Sequence, residues 1–196
     1  MSLNLLGVSG SMREGSHSAR AVGFVLEAAR EHGAETRLVD LRALDLPMYR
    51  PYGGAIETEG LRLATEYVNW ADAFVLASPD YHGSMSGAMK NFLDYYWTEF
   101  AGKAFGYLCA SHEKGLTVMD QMRTAVRQCY GWSLPYGASF HGDQDFDASG
   151  VKSENVARRL KMLARDLVVY GTLIREQFLR DLGSDAPDTF VARYRK

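Results

Sequence analysis

A chain of 196 residues, 46% hydrophobic and 23% charged, is long enough to bury a full core without a disulfide or a metal, and has the balance of an ordinary soluble enzyme. Lys and Arg number 22 against 24 Asp and Glu, a formal charge of −2, which excludes the electrostatic footprint of a nucleic-acid binder or of a protein held on an anionic membrane. Cys109 and Cys129 have neither metal-ligand nor redox spacing, so the chain reads as reduced and cytoplasmic, a single domain over residues 1–196.

The opening segment, MSLNLLGVSGS, lacks the basic start and long apolar stretch of a signal peptide. No apolar segment approaches the roughly 20 residues that span a bilayer. Leu3 to Val8 reads as a short strand that ends in glycine and serine. His17 to His32 carries Val22, Leu26 and Ala29 at helical spacing, and Gly33 closes it. Thr36 to Leu41 is a second strand, followed by a loop with Pro47, Pro51, Gly53 and Gly54. Glu57 to Trp70 is a helix. Ala73 to Ala77 is an uninterrupted apolar run, which suits a parallel strand covered on both faces.

Ser86 to Glu99 reads as a helix with Met89, Phe92, Leu93 and Tyr96 on one side. Lys103 to Ala110 is a strand, in which Cys109 is most simply a small core residue. Leu116 to Tyr130 is a helix, and Trp132 to His141 holds the last strand with Pro135 interrupting or flanking it. Asn155 to Phe178 is a long final helix. Such alternation predicts an α/β three-layer sandwich: a five-stranded parallel sheet, helices on both faces, in the flavodoxin-like order 2-1-3-4-5. Ligands of these sheets sit outside the carboxyl ends of the strands, at the switch between strands 1 and 3. The loops after Val8, Ala77 and Ala110 are therefore the ones to examine.

The first loop, Gly7 to Ser18, gathers Ser11, Arg13, Ser16, His17 and Ser18 at a helix N-terminus. Free backbone N–H groups and the helix dipole favour an anion there, and an arginine forks onto phosphate oxygens. It is neither a Walker A loop nor GxGxxG. The competing reading makes Ser16 or Ser18 a plain N-cap and Arg13 a solvated charge. The second loop, Ser78 to Gly87, presents Pro79, Asp80, Tyr81, His82, Gly83 and Ser84. Its backbone groups suit the edge of a flat heterocycle, with Gly83 allowing close approach. Ser86 reads as the cap of the next helix.

GSMREGSHS followed by SPDYHGSMSGAMKNFLDYY resembles the NADPH-dependent FMN reductase family, which includes quinone- and azo-reducing members. The matching residues are Gly10, Ser11, Arg13 and Ser16, then Pro79, Tyr81, Ser84, Lys90, Asn91 and Asp94. Ser18 and His82 stand where the family often has Asn. The third loop, Ala110 to Gly115, lacks its usual glycine pair. The resemblance implies FMN as cofactor, with Ser111 and His112 beside its ring, and NADPH or NADH as co-substrate. Lys114 or His112 would place positive charge near the pyrimidine side. It also implies a homodimer or homotetramer. Lys90, Asn91 and Asp94 read as structural, the first and last at ion-pair spacing. Tyr95, Tyr96, Trp97 and Phe100 read as core or as a subunit face.

The reaction needs no acid, base or nucleophile from the protein, because hydride passes between two stacked rings. Electrons then reach a small-molecule acceptor: free flavin, quinone, azo compound or metal complex. The alternative is an FMN electron carrier or redox sensor without nicotinamide turnover. A hydrolase is less favoured, since Gly7-Val8-Ser9-Gly10-Ser11 departs from a nucleophile elbow at its fifth residue. Neither nucleic acid nor membrane is expected as a partner.

Overall fold

The computed structural model describes residues 2–52, 54 and 56–194; Gly53 and both ends of the span expected as one domain lie outside the described residues. In chain order come β1 (Asn4–Ser9), α1 (His17–Glu31), β2 (Glu35–Asp40), the single turn α2 (Leu41–Leu44), α3 (Glu59–Trp70) and β3 (Ala73–Pro79). Then follow α4 (Gly87–Asp94), a 3-10 turn (Thr98–Phe100), β4 (Ala104–Ala110), α5 (Leu116–Gln128), β5 (Trp132–Ser133) and β6 (Ala138–Phe140). The chain ends with α6 (Gly142–Asp145), a small hairpin of β7 (Phe146–Asp147) and β8 (Gly150–Val151), α7 (Glu154–Leu182) and a second 3-10 turn (Phe190–Tyr194).

The main sheet is parallel, in the order β2-β1-β3-β4-β5, with β6 also pairing β4. The expected order holds, but two segments share the fifth position. Trp132 and Ser133 pair with Ala104 and Phe105, and Ala138 to Phe140 pair with Leu108 to Ala110. Pro135, which has no N–H to donate, sits in the gap between them.

Alternation along the strands builds two cores. Leu5, Ala73, Val75, Ala77 and Leu108 face α1 and α7, while Leu6, Val8, Phe74, Leu76 and Tyr107 face α3, α4 and α5. All seven residues of β3 are buried, as its unbroken apolar run leads one to expect. The α1 face is packed through small side chains. A Cβ on Gly7 would lie 2.3 Å from Val22 Cγ1 and 2.9 Å from Leu26 Cδ1. Gly7→Ala is accordingly expected to destabilise the fold by about 1–3 kcal/mol, the usual cost of overpacking. A lowered urea midpoint with an unchanged slope checks this.

The helix expected over Ser86 to Glu99 stops at Asp94. The amides of Tyr95 and Tyr96 bond to Phe92 and Leu93 three residues back, and the chain turns into the 3-10 segment. The turn drops Phe100 into the core, edge-on to Phe74 at 5.4 Å and to Phe105 at 5.3 Å. The i, i+4 spacing of Phe92, Tyr96 and Phe100 mimics a continuous helix because all three enter one core. Tyr96 and Phe100 are thus buried within the chain itself, leaving Tyr95 half-buried and Trp97 66% exposed. Lys90 and Asp94 pair at 2.6 Å on the surface, where such a pair contributes little. Asn91 accepts from Tyr49 N at 2.7 Å and donates to Pro47 O at 2.9 Å, pinning the segment after α2.

Candidate functional site

The carboxyl ends of β1, β3, β4 and β6 open onto one cleft of about 740 Å³, continuous with solvent. From the first loop it takes Ser11, Arg13, Ser16, His17 and Ser18, and from the second Pro79, Asp80 and Tyr81. Ala110, Ser111 and His112 come from the third loop, and His141, Gly142 and Asp143 from the segment after β6. His82, Gly83 and Ser84 are not among its walls.

Ser16 is the N-cap of α1, accepting from Ala19 N at 3.2 Å. Ser11 Oγ accepts from Arg13 N at 3.3 Å. Both hydroxyls act here as acceptors, so each keeps its hydrogen to donate. Ser18 is 1% exposed, and its Oγ makes no hydrogen bond within the protein. The His17 and Ser18 amides at the start of α1 and the Arg13 guanidinium likewise have no partner among the described residues. A buried hydroxyl without a partner is costly, and here it stands beside uncommitted donors. Hydroxyl, amides and guanidinium are a donor set for an oxyanion.

The second loop is a tight hairpin. Tyr81 and Ser84 exchange backbone bonds at 3.0 and 3.1 Å, with φ of 57° at His82 and 75° at Gly83. Positive φ at both central residues is what a two-residue turn of this twist requires. A Cβ on Gly83 would meet nothing within 4 Å, so this backbone conformation, rather than close approach alone, is why glycine stands there. Most of the loop's amides are used internally: Gly83 N donates to Asp80 Oδ1 at 2.8 Å and Met85 N to Gln121 Oε1 at 3.0 Å. The His82 N–H remains uncommitted among the described residues. Ser86 caps α4 as expected, accepting from Met89 N at 3.1 Å, and donates to Gly10 O at 2.6 Å.

Asp80 joins loops rather than standing free. Its second oxygen accepts from Ser111 Oγ at 2.9 Å, while its own N–H donates to Ala110 O at 2.9 Å. Ser111 N donates to Phe140 O at 3.0 Å, which binds the third loop to the fourth. Cys109, just below, is inert: burial raises its thiol to about 12, with the Asp80 carboxylate adding to the shift. His112 Nδ1 and His141 Nε2 lie 2.7 Å apart, and His17 Nε2 is 3.3 Å from Asp143 Oδ1. Lys114 lines the neighbouring groove, and only His112 of the two expected cations borders the cleft. His141, Gly142, Asp143 and Gln121 are contributions the sequence reading missed. The fourth loop was signalled by the same strand-end rule that singles out the other three. Among the described residues no cluster of His, Cys, Asp and Glu is arranged to hold a metal, and no helix is long and apolar enough to cross a membrane.

The model of one family, the NADPH-dependent FMN reductases, matches residues 3–145. The chain is 28% identical over 145 residues to an NADPH azoreductase of Bacillus sp. (strain OY1-2), covering 72% of this chain and 80% of the relative. It is 29% identical over 147 residues to an FMN-dependent NADPH-azoreductase of Staphylococcus saprophyticus, covering 71% and 77%. Among solved structures it is similar to FerB, a flavoenzyme NAD(P)H:(acceptor) oxidoreductase from Paracoccus denitrificans. That match has a TM-score of 0.72 at 20% identity and covers 87% of this chain and 98% of the other.

Proposed function

We propose a mode of action for this chain from one premise: it belongs to the NADPH-dependent FMN reductase family. It is an FMN-dependent NAD(P)H oxidoreductase, with FMN as cofactor and NADPH as co-substrate. The observation that carries the site assignment is Ser18 Oγ, buried without a partner at the head of α1 in the cleft that Arg13 also lines. A terminal phosphate supplies the acceptor that these donors lack.

Ser11, Arg13, Ser16, His17 and Ser18 hold that phosphate. Pro79, Asp80 and Tyr81 border the ring on one side, and Ser111 and His112 on the other. When bound, FMN supplies a ring that accepts a hydride at N5 and passes electrons onward. The protein's part would be to hold that ring and leave room for the nicotinamide, since hydride transfer needs an approach of roughly 3.5 Å. Tyr81, 51% exposed at the lip, is placed to cover either flat partner. No side chain serves as nucleophile or transfers a proton to carbon. The acceptor is a small molecule, free flavin, quinone, azo compound or metal complex. The azoreductase relatives make an azo compound the first to assay. Protein purified without added flavin is expected to show flavin absorption that bleaches anaerobically with NADPH. A colourless protein that takes up no FMN overturns this reading.

The chain works as one domain in the cytoplasm, as a homodimer or homotetramer. Trp97, Met48 and Tyr52 are exposed, and Tyr49 packs edge-on against Tyr95 at 5.3 Å; large exposed apolar side chains of this kind are what a subunit contact covers. Light scattering at micromolar concentration is expected to return at least twice the 21.8 kDa of one chain; a one-chain mass refutes the assembly.

A further inference from the structure

A second groove, about 1350 Å³ and open to solvent, adjoins the cleft and shares His141 with it. It runs over the break between β5 and β6, between α5 and the start of α7. Three observations give it a chemical character. Arg159 on α7 donates Nε to Gly137 O at 2.8 Å and lies over the Tyr136 ring at 5.6 Å. That bond leaves both terminal nitrogens uncommitted, with no carboxylate in ion-pair range among the described residues. Lys114 is also unpaired, and it precedes α5, whose N-cap is Gly115 with no side-chain cap. Finally, two buried polar atoms along the groove, Ser139 Oγ and His141 Nδ1, make no hydrogen bond within the protein. Of the groove's three carboxylates, Asp120 is paired with Arg123, Asp145 accepts from His141 N at 2.7 Å, and Glu113 is exposed next to Lys114 in sequence.

We propose that this groove binds the adenosine 2′-phosphate end of NADPH, with Arg159 and Lys114 as the residues that discriminate NADPH from NADH. The inference rests on the oxidoreductase reading, since the dinucleotide must reach from the groove to the cleft. His141, which lines both, marks where the two spaces meet. A stacked guanidinium with a free fork matches a phosphate monoester bidentately, while the Tyr136–Arg159 pair offers a flat surface to adenine. The uncapped start of α5 and Lys114 add positive potential at the same end.

The test uses the FMN-loaded protein and calorimetric titration with adenosine 2′,5′-bisphosphate and with 5′-AMP. Arg159→Ala and Lys114→Ala are each expected to weaken the bisphosphate by about tenfold, the loss of one charge-assisted contact. 5′-AMP should change less than about twofold. Arg159→Lys should restore part of the loss, because it keeps the charge and loses the fork. Arg158→Ala, one residue away and bonded to Asn155, is the control and should change neither ligand. In steady state, KM for NADPH should rise by the same factor relative to KM for NADH. Equal effects on both nucleotides, or none, overturn the groove assignment. Bleaching by NADPH is scored separately. Bleaching with indiscriminate binding overturns the groove alone, and discriminating binding without bleaching overturns the reaction alone.

Discussion

Ser18→Ala is expected to move two measurements in opposite directions. FMN affinity should fall by about one to two decades, because a hydrogen bond to a charged group contributes about 1.5–3 kcal/mol. The flavin-free protein should gain stability by about 1 kcal/mol, the lower end of the cost of a buried unsatisfied hydroxyl. That gain corresponds to a rise in Tm of about 2–4 °C for a chain of this size. Few substitutions stabilise the empty protein while weakening the loaded one, so the pair of signs is diagnostic. Riboflavin lacks the phosphate and should bind the variant as well as the parent. Arg13→Ala should show the same preference for FMN but leave the flavin-free Tm unchanged, since Arg13 is exposed and unpaired. Its effect should also shrink as salt rises. Fluorescence titration of both flavins and a thermal melt are sufficient. Equal losses for FMN and riboflavin would place the phosphate elsewhere in the molecule.

Asp80→Ala should behave differently. It removes the acceptor of both Gly83 N and Ser111 Oγ, so the hairpin and the third loop keep only the backbone bond from Asp80 N to Ala110 O. Weighting the part-buried Ser111 bond more than the exposed Gly83 bond, the stability loss should be about 2–3 kcal/mol. FMN and riboflavin should then weaken together, by about tenfold or more, because the walls that hold the ring are displaced rather than the phosphate donors. Asp80→Asn keeps one acceptor oxygen and should fall between parent and alanine variant. A loss confined to FMN would move Asp80 out of the ring's surroundings and into those of the phosphate.

Much of this architecture is legible in the residues because each signal has one physical meaning. Ala73 to Ala77 is apolar without alternation, as suits a strand covered on both faces, and the strand is indeed buried throughout. The first loop pairs a strand end with hydroxyls and an arginine at a helix start, and those residues do line the cleft together. Other features depend on tertiary packing. Phe100 continues a helical spacing while lying outside the helix, since the core below draws it in through a 3-10 turn. The fifth strand looks like one segment around a proline, yet its halves pair with opposite ends of β4. That division also hid the segment from His141 to Asp143, whose approach to His17 depends on chain far removed in sequence. Gly83 was legible as necessary but for an incomplete reason, because positive φ and ligand contact leave the same trace in a sequence. Gln121, holding the back of the hairpin from α5, carries no local sign at all.

The bonds between loops have a kinetic consequence. Gly10 N reaches Ala77 O, Ser86 reaches Gly10 O, Asp80 reaches Ala110 and Ser111, and Ser111 N reaches Phe140 O. These segments therefore give up their conformational freedom when the sheet folds, before any flavin arrives. Arrival and departure of the flavin then require no refolding of the rim, so exchange is governed by desolvation and by the contacts to phosphate and ring. Hydrogen exchange at Gly10, Asp80 and Ser111 should be slow with or without flavin. Such a frame is reusable: an emptied site keeps its shape and needs no rebuilding before a flavin returns.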